Sequence, residues 1–215
     1  MNFGRAVTTV AGLTMVSRVL GFIRDLLTAA MLGAGPVADA YFVAFKLPNF
    51  FRRLFAEGAF SVTFVPLFAK TAHAEGEEAA ERFAEQAQAM MLAILIPLTV
   101  ALLALMPFVM VVLAPGFEVG SDRYELAVKL CRITFPYLTL VSITALQGGV
   151  LNALDRYGPF AFAPVLFNIC MIGGLLLTPL FTNAAYALSW GEFTAGFVQV
   201  LWMMGSCRQI GRAHV

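Results

Sequence analysis

No charged side chain occurs from Gln86 to Phe117, and none from Tyr157 to Gly191. A helix crossing the hydrocarbon core of a bilayer needs about 20 predominantly apolar residues, so the first run is one span and the second is too long to be only one. In that medium every backbone amide and carbonyl must be satisfied inside its own helix or around a closed barrel. The residue-by-residue alternation that marks barrel strands is missing, which leaves helices. Composition agrees, with 60% hydrophobic and 13% charged residues, against about 25% charged in an ordinary soluble domain. The sequence predicts an all-α polytopic membrane protein.

Breaks in the apolar pattern divide the chain into six transmembrane helices. The first covers residues 7–32 and stops at Gly33-Ala34-Gly35-Pro36; the second covers 37–69, with bends expected at Pro48 and Pro66. The acidic stretch Lys70–Glu85 reads as a solvated loop that turns into the start of a third helix, 80–113, closed by Ala114-Pro115-Gly116. A fourth, 122–154, begins amphipathic and ends at Asp155-Arg156-Tyr157-Gly158-Pro159. Pro179 and Phe181-Thr182-Asn183 split the remainder into 160–180 and 184–207. With the N-terminus inside, Arg5, Lys70, Arg82, Arg156 and Arg208 collect on one side against Arg123 on the other, with Lys129 and Arg132 deeper in helix four, so the positive-inside rule favours both termini in the cytoplasm. The first apolar run lacks a small-residue cleavage site and is not read as a signal peptide. Cys131, Cys170 and Cys207 fit no pairing or metal-ligand spacing and read as small buried hydrophobes.

The first two helices carry charges where charges are expensive. An ionisable side chain at the centre of an inserted helix costs roughly 2.5–3.5 kcal/mol on insertion scales, so it normally faces a polar cavity or an ion-pair partner. Residues 1–57 hold six bases (Arg5, Arg18, Arg24, Lys46, Arg52, Arg53) and three acids (Asp25, Asp39, Glu57), and six less three leaves a local charge of +3. On a regular helix Arg18 and Asp25 share a face, with Arg24 roughly 120° away, so a distortion near Gly12 or Gly21 is expected if all face one partner. Asp39, Lys46, Arg53 and Glu57 fall near one face of helix two, and Arg52 points off it. Ion pairs between helices account for part of this set. The surplus of guanidinium groups calls for an anion, and the forked donors of Arg suit phosphate oxygens.

The segment Ser17-Arg18-Val19-Leu20-Gly21-Phe22-Ile23-Arg24-Asp25 resembles the first-helix signature of the bacterial lipid II flippases, the MurJ/MviN family of the multidrug/oligosaccharidyl-lipid/polysaccharide exporter superfamily. So do Asp39-Ala40-Tyr41-Phe42-Val43-Ala44-Phe45-Lys46-Leu47-Pro48-Asn49 and Arg52-Arg53-Leu54-Phe55-Ala56-Glu57-Gly58-Ala59-Phe60, with further matches at Ala114-Pro115-Gly116-Phe117, Phe135-Pro136-Tyr137 and Phe162-Ala163-Pro164. The resemblance implies a transporter, not an enzyme, that moves an undecaprenyl-diphosphate-linked cell-wall precursor across the bacterial inner membrane by alternating access. It implies that Arg18, Arg24 and Arg52 bind substrate, that Asp25, Asp39 and Glu57 serve in cavity ion pairing or gating, and that Lys46 and Arg53 have lesser roles. It implies no cofactor, metal or nucleic-acid partner. The partners it implies are the lipid-linked diphosphate, the surrounding lipids and a second lobe of the same protein.

The family has two lobes, and six helices, residues 1–209, correspond to the N-terminal one. Residues 210–215 are expected to be a non-native tail, because ATC-GGA-AGA-GCA-CAC-GTC, the start of a common sequencing adapter, encodes Ile210-Gly211-Arg212-Ala213-His214-Val215. Glu192, inside helix six, is outside the family pattern and should face protein or water. Gly148-Gly149 and Gly173-Gly174 are expected at close helix contacts. Gln147, Asn152 and Asn168 either line the cavity or bond across helices. Within the superfamily, export of another polyprenyl-linked glycan or cation-coupled drug efflux is the alternative; a drug exporter would be expected to use cavity carboxylates rather than arginines. The residue clusters of an intramembrane phosphatase do not occur.

Overall fold

A computed structural model describes residues 3–52 and 60–213, and the regular structure among them is entirely helical. The helices are α1 (Phe3–Leu32), α2 (Pro36–Arg52), α3 (Phe60–Glu75), α4 (Glu77–Ala104), α5 (Met106–Leu113), α6 (Asp122–Thr134), α7 (Tyr137–Ala153), α8 (Tyr157–Leu176) and α9 (Ala184–Ala213), with a single 3-10 turn at Thr178–Leu180. Three stretches among the described residues are both long and apolar enough to cross a membrane: Glu77–Ala104, Asp122–Ala153 and Tyr157–Leu176. At 30 residues α1 and α9 have the length as well, but α1 carries Arg18, Arg24 and Asp25 and α9 carries Glu192.

Local chemistry explains the boundaries. Gly33 takes a left-handed φ of 66° directly after α1, and its N–H closes on Ala29 O at 3.1 Å, the usual device for ending a helix. The acidic stretch 70–85, expected to begin as a loop, is helical except at Gly76, whose φ of 91° interrupts α3 and α4. Its charges lie on exposed helix surface, where water solvates them as well as in a loop. Pro107 at the start of α5 and Pro136 at the start of α7 mark two further interruptions, at the first turns that proline suits, whereas Pro48, Pro66, Pro97 and Pro164 lie inside helices. Ser121 Oγ accepts the Tyr124 N–H at the start of α6, and Asn183 Oδ1 accepts those of Ala185 and Tyr186 at the start of α9.

The main core lies where α2, α6 and α9 meet, around Ala40, Ala44, Leu130, Phe135, Leu138 and Leu188. Thr134 Oγ1 donates to Ala44 O (3.1 Å) and ties α6 to α2. A smaller cluster of Phe64, Phe68, Ala80 and Leu146 joins α3, α4 and α7. On the other side of the core α1 runs along α8, and α8 along α9. A Cβ on Gly174 would sit 2.7 Å from Ala187 O, so α8 and α9 approach to backbone contact there. Gly148 and Gly149 likewise meet Phe160 and Val65, whereas Gly173 faces open space. Large apolar side chains, among them Met15, Phe22, Ile94, Val100, Phe108 and Val112, point outward. Such a surface suits lipid tails and not water.

Candidate functional site

Arg18, Arg24 and Arg52, chosen from sequence, line one open cavity of about 850 Å³ between α1, α2, α7, α8 and α9. That volume is within the roughly 300–1,000 Å³ of ordinary small-molecule sites. No carboxylate occurs among the described residues that line it; the other polar groups there are neutral, among them Ser17, Asn49, Asn168 and Gln199.

Arg24 is the best held of the three. Its Nε and Nη2 donate to Asp25 Oδ1 (3.1 and 2.8 Å), its Nη1 donates to Asn168 Oδ1 (2.9 Å), and its guanidinium lies 5.7 Å from the centre of the Phe167 ring. The Arg24 side chain is 19% exposed and that of Asp25 69%, so the acid grips the arginine from outside the cavity. Asn168 then donates through Nδ2 to Ser17 O and Ser17 Oγ (3.0 and 3.3 Å). One α8 amide therefore binds both the α1 backbone and the α1 arginine. A Cβ on Gly21 would lie 3.7 Å from the same amide, which records how closely α1 approaches.

Arg18 reaches the cavity from an exposed position and has no ion-pair or hydrogen-bond partner among the described residues. The expected distortion of α1 is absent: the helix is continuous from Phe3 to Leu32. Arg18 and Arg24 still meet the same space, because a long flexible stem carries each guanidinium well away from the angle of its Cα. Arg52 ends α2 and donates from Nε to Asn49 Oδ1 (3.3 Å), while Asn49 Nδ2 donates to Phe45 O (2.7 Å). Asn49 and Arg52 thus form a unit three residues apart on the cavity side of α2.

Asp39 lies elsewhere. At the start of α2 its Oδ2 pairs with Arg123 Nη2 of α6 at 2.7 Å, and the Arg123 guanidinium covers the Phe117 ring at 4.0 Å. Lys46 is exposed and does not line the cavity. Arg53 and Glu57 fall outside the described residues. Sequence reasoning left Asn168 open between lining and cross-helix bonding; it does both. Asn152 lines the cavity, and so does Gln199, which donates to Ala163 O at 2.8 Å. Asn49, Ser17 and Gln199 were missed, since single neutral amides and hydroxyls in apolar helices carry no spacing signal.

The family model described as lipid II flippase MurJ matches residues 28–214. The chain belongs to the lipid II flippase MurJ family. MurJ relatives extend the match to the N-terminal signature. The chain is 43% identical over 216 residues to the "Probable lipid II flippase MurJ" of Rhizobium meliloti, with 98% of this chain and 40% of the relative aligned. It is 42% identical to the protein of the same name from Rhizobium tropici (93% and 38%), and 36% identical to the "Lipid II flippase MurJ" of Burkholderia cenocepacia (98% and 41%). A solved lipid II flippase MurJ in an inward closed conformation superposes with a TM-score of 0.74 at 26% identity, over 90% of this chain and 41% of that one. A protein described as a MOP superfamily transporter from Pyrococcus furiosus shares the fold, with a TM-score of 0.72 at 16% identity over 92% of this chain and 43% of that one. The chain spans about two fifths of the length of these MurJ relatives. Family membership and apolar helices together make it a membrane protein.

Proposed function

We propose that this chain is the N-terminal, substrate-gripping lobe of a flippase that carries undecaprenyl-diphosphate-linked peptidoglycan precursor, lipid II, from the inner to the outer leaflet of the bacterial cytoplasmic membrane. The observation that carries this reading is a cavity lined by three arginines and, among described residues, no carboxylate. Guanidinium groups in such a space attract a multiply charged anion, and their forked N–H groups match phosphate oxygens. The same lining argues against a cationic drug as cargo.

In this reading Arg18, Arg24 and Arg52 grip the diphosphate and Asp25 holds Arg24 ready. Asp39, through its Arg123 pair, and Glu57 act in gating, with Lys46 and Arg53 in supporting positions. Residues 1–209 form six spans with both termini cytoplasmic. A second lobe completes the cavity, and rocking between the lobes alternates access, as in other transporters built from repeats. No bond is made or broken, so the activity is transport and not catalysis.

The test is a chimera in which residues 1–209 replace the matching part of the Rhizobium meliloti relative, produced in a bacterium depleted of its own lipid II flippase. Restored growth and cell shape are expected, with loss of rescue but normal membrane insertion for Arg24→Ala and Arg52→Ala. Full rescue by both variants refutes the assignment of the cavity.

A further inference from the structure

Glu192, in the first third of α9, is fully buried, and among the described residues neither of its carboxylate oxygens has a hydrogen-bond partner. One turn earlier Ser189 Oγ is buried and equally unpartnered. An ionised carboxylate taken out of water without a partner is so unfavourable that it normally acquires a proton or a counter-charge instead. Among the described residues no cation pairs with it directly. Arg24 of α1 and Arg52 of α2 are the cations whose charge reaches Glu192, but Arg24 is bound to Asp25 and Asn168, and Arg52 donates to Asn49. Asp25 adjoins Arg24 on the same side, Tyr41 of α2 and Cys131 of α6 are the buried titratable groups that feel the Glu192 charge, and α7 and α8, also packed on α9, contain no charged residue. The titratable groups on those two helices are Tyr137, Tyr157 and Cys170.

The position ties this group to the cavity. Gln199, seven residues further along α9, lies on nearly the same helix face as Glu192 and lines the cavity. The two arginines whose field reaches Glu192 are themselves cavity residues.

We propose that Glu192 is a proton-binding site linked to anion binding in the arginine cavity, so that a proton is taken up from solvent when a diphosphate enters and released when it leaves. The inference rests on the reading of the cavity as an anion site. An ionised Glu192 and a cavity anion draw on the same positive field, so each weakens the other. The anion therefore favours protonated Glu192, and by reciprocity protonated Glu192 favours the anion. The sign follows: anion affinity is highest where Glu192 holds its proton and falls as pH rises through the range where it loses it. The proton adds to a carboxylate oxygen and returns to water, and no other bond changes.

The experiment is calorimetric titration of the chain, in lipid nanodiscs, with pyrophosphate, in pairs of buffers of different ionisation enthalpy, from acidic to mildly alkaline pH. The wild type is expected to take up more protons per pyrophosphate than Glu192→Gln over part of that range, with affinity falling by up to about tenfold per pH unit there. In Glu192→Gln only the titration of pyrophosphate itself remains, and that is common to both. As an independent readout, pyrophosphate is expected to increase the infrared carbonyl absorption of a protonated carboxylic acid in the wild type. Binding with equal proton uptake in both proteins, or with no infrared change in the wild type should the variant not fold, overturns the linkage and leaves the cavity reading standing. Failure of pyrophosphate to bind overturns both.

Discussion

Arg24 is shared between a charged acid, the stronger competitor of any incoming anion, and a neutral amide. Replacing Asp25 with Asn removes the competitor, and because an exposed ion pair is worth about 0–1 kcal/mol, pyrophosphate affinity is expected to rise by up to about fivefold, measured by calorimetry. Asn168→Ala acts in the opposite direction. It removes the bonds to Arg24 and Ser17 together, and stranding buried polar groups costs about 1–3 kcal/mol each; a lower melting temperature and weaker pyrophosphate binding are expected. The arginines were legible in the sequence because a charge within apolar helices is conspicuous. Asn168 was half legible, and its partners Ser17 and Arg24, about 150 residues away in the chain, were not. Nor was the Asp39–Arg123 pair, which only the packing of α2 on α6 brings together.

For whole elements, the glycine and proline breaks at 33–36, 114–116 and 155–159 fall at the ends of α1, α5 and α7, but the runs 80–113 and 122–154, each expected as one helix, are interrupted at Leu105 and at Phe135-Pro136. What failed was the assignment of faces. Helical-wheel angles place Cα atoms, and two long arginines on an undistorted α1 reach a cavity that those angles appeared to forbid. Close packing can be tested by paired substitutions one residue apart. Gly174→Leu forces a side chain into the α9 backbone and is expected to destabilise the protein by about 1–3 kcal/mol or more, whereas Gly173→Ala, which meets open space within a helix, should leave thermal unfolding unchanged or slightly raised. Equal effects from the two would refute backbone contact between α8 and α9.

At the level of the whole molecule, three stretches among the described residues are apolar and long enough to span, and the outward faces of α1, α4 and α5 are oily. The proposed topology predicts which surfaces meet which compartment. In a variant lacking the native cysteines, Ala74→Cys should react with a membrane-impermeant thiol reagent only from the cytoplasmic side, and Val119→Cys only from the opposite side. Both positions are exposed. Labelling of both from one side refutes the six-span arrangement. The amide of Asn168 adds a consequence for motion on this scale. A phosphate oxygen that takes the Nη1 donor now held by Asn168 Oδ1 leaves α1 with only its Ser17 tether to the same residue. Cargo would then loosen one seam of the bundle by the act of docking, making the headgroup a wedge as well as a passenger.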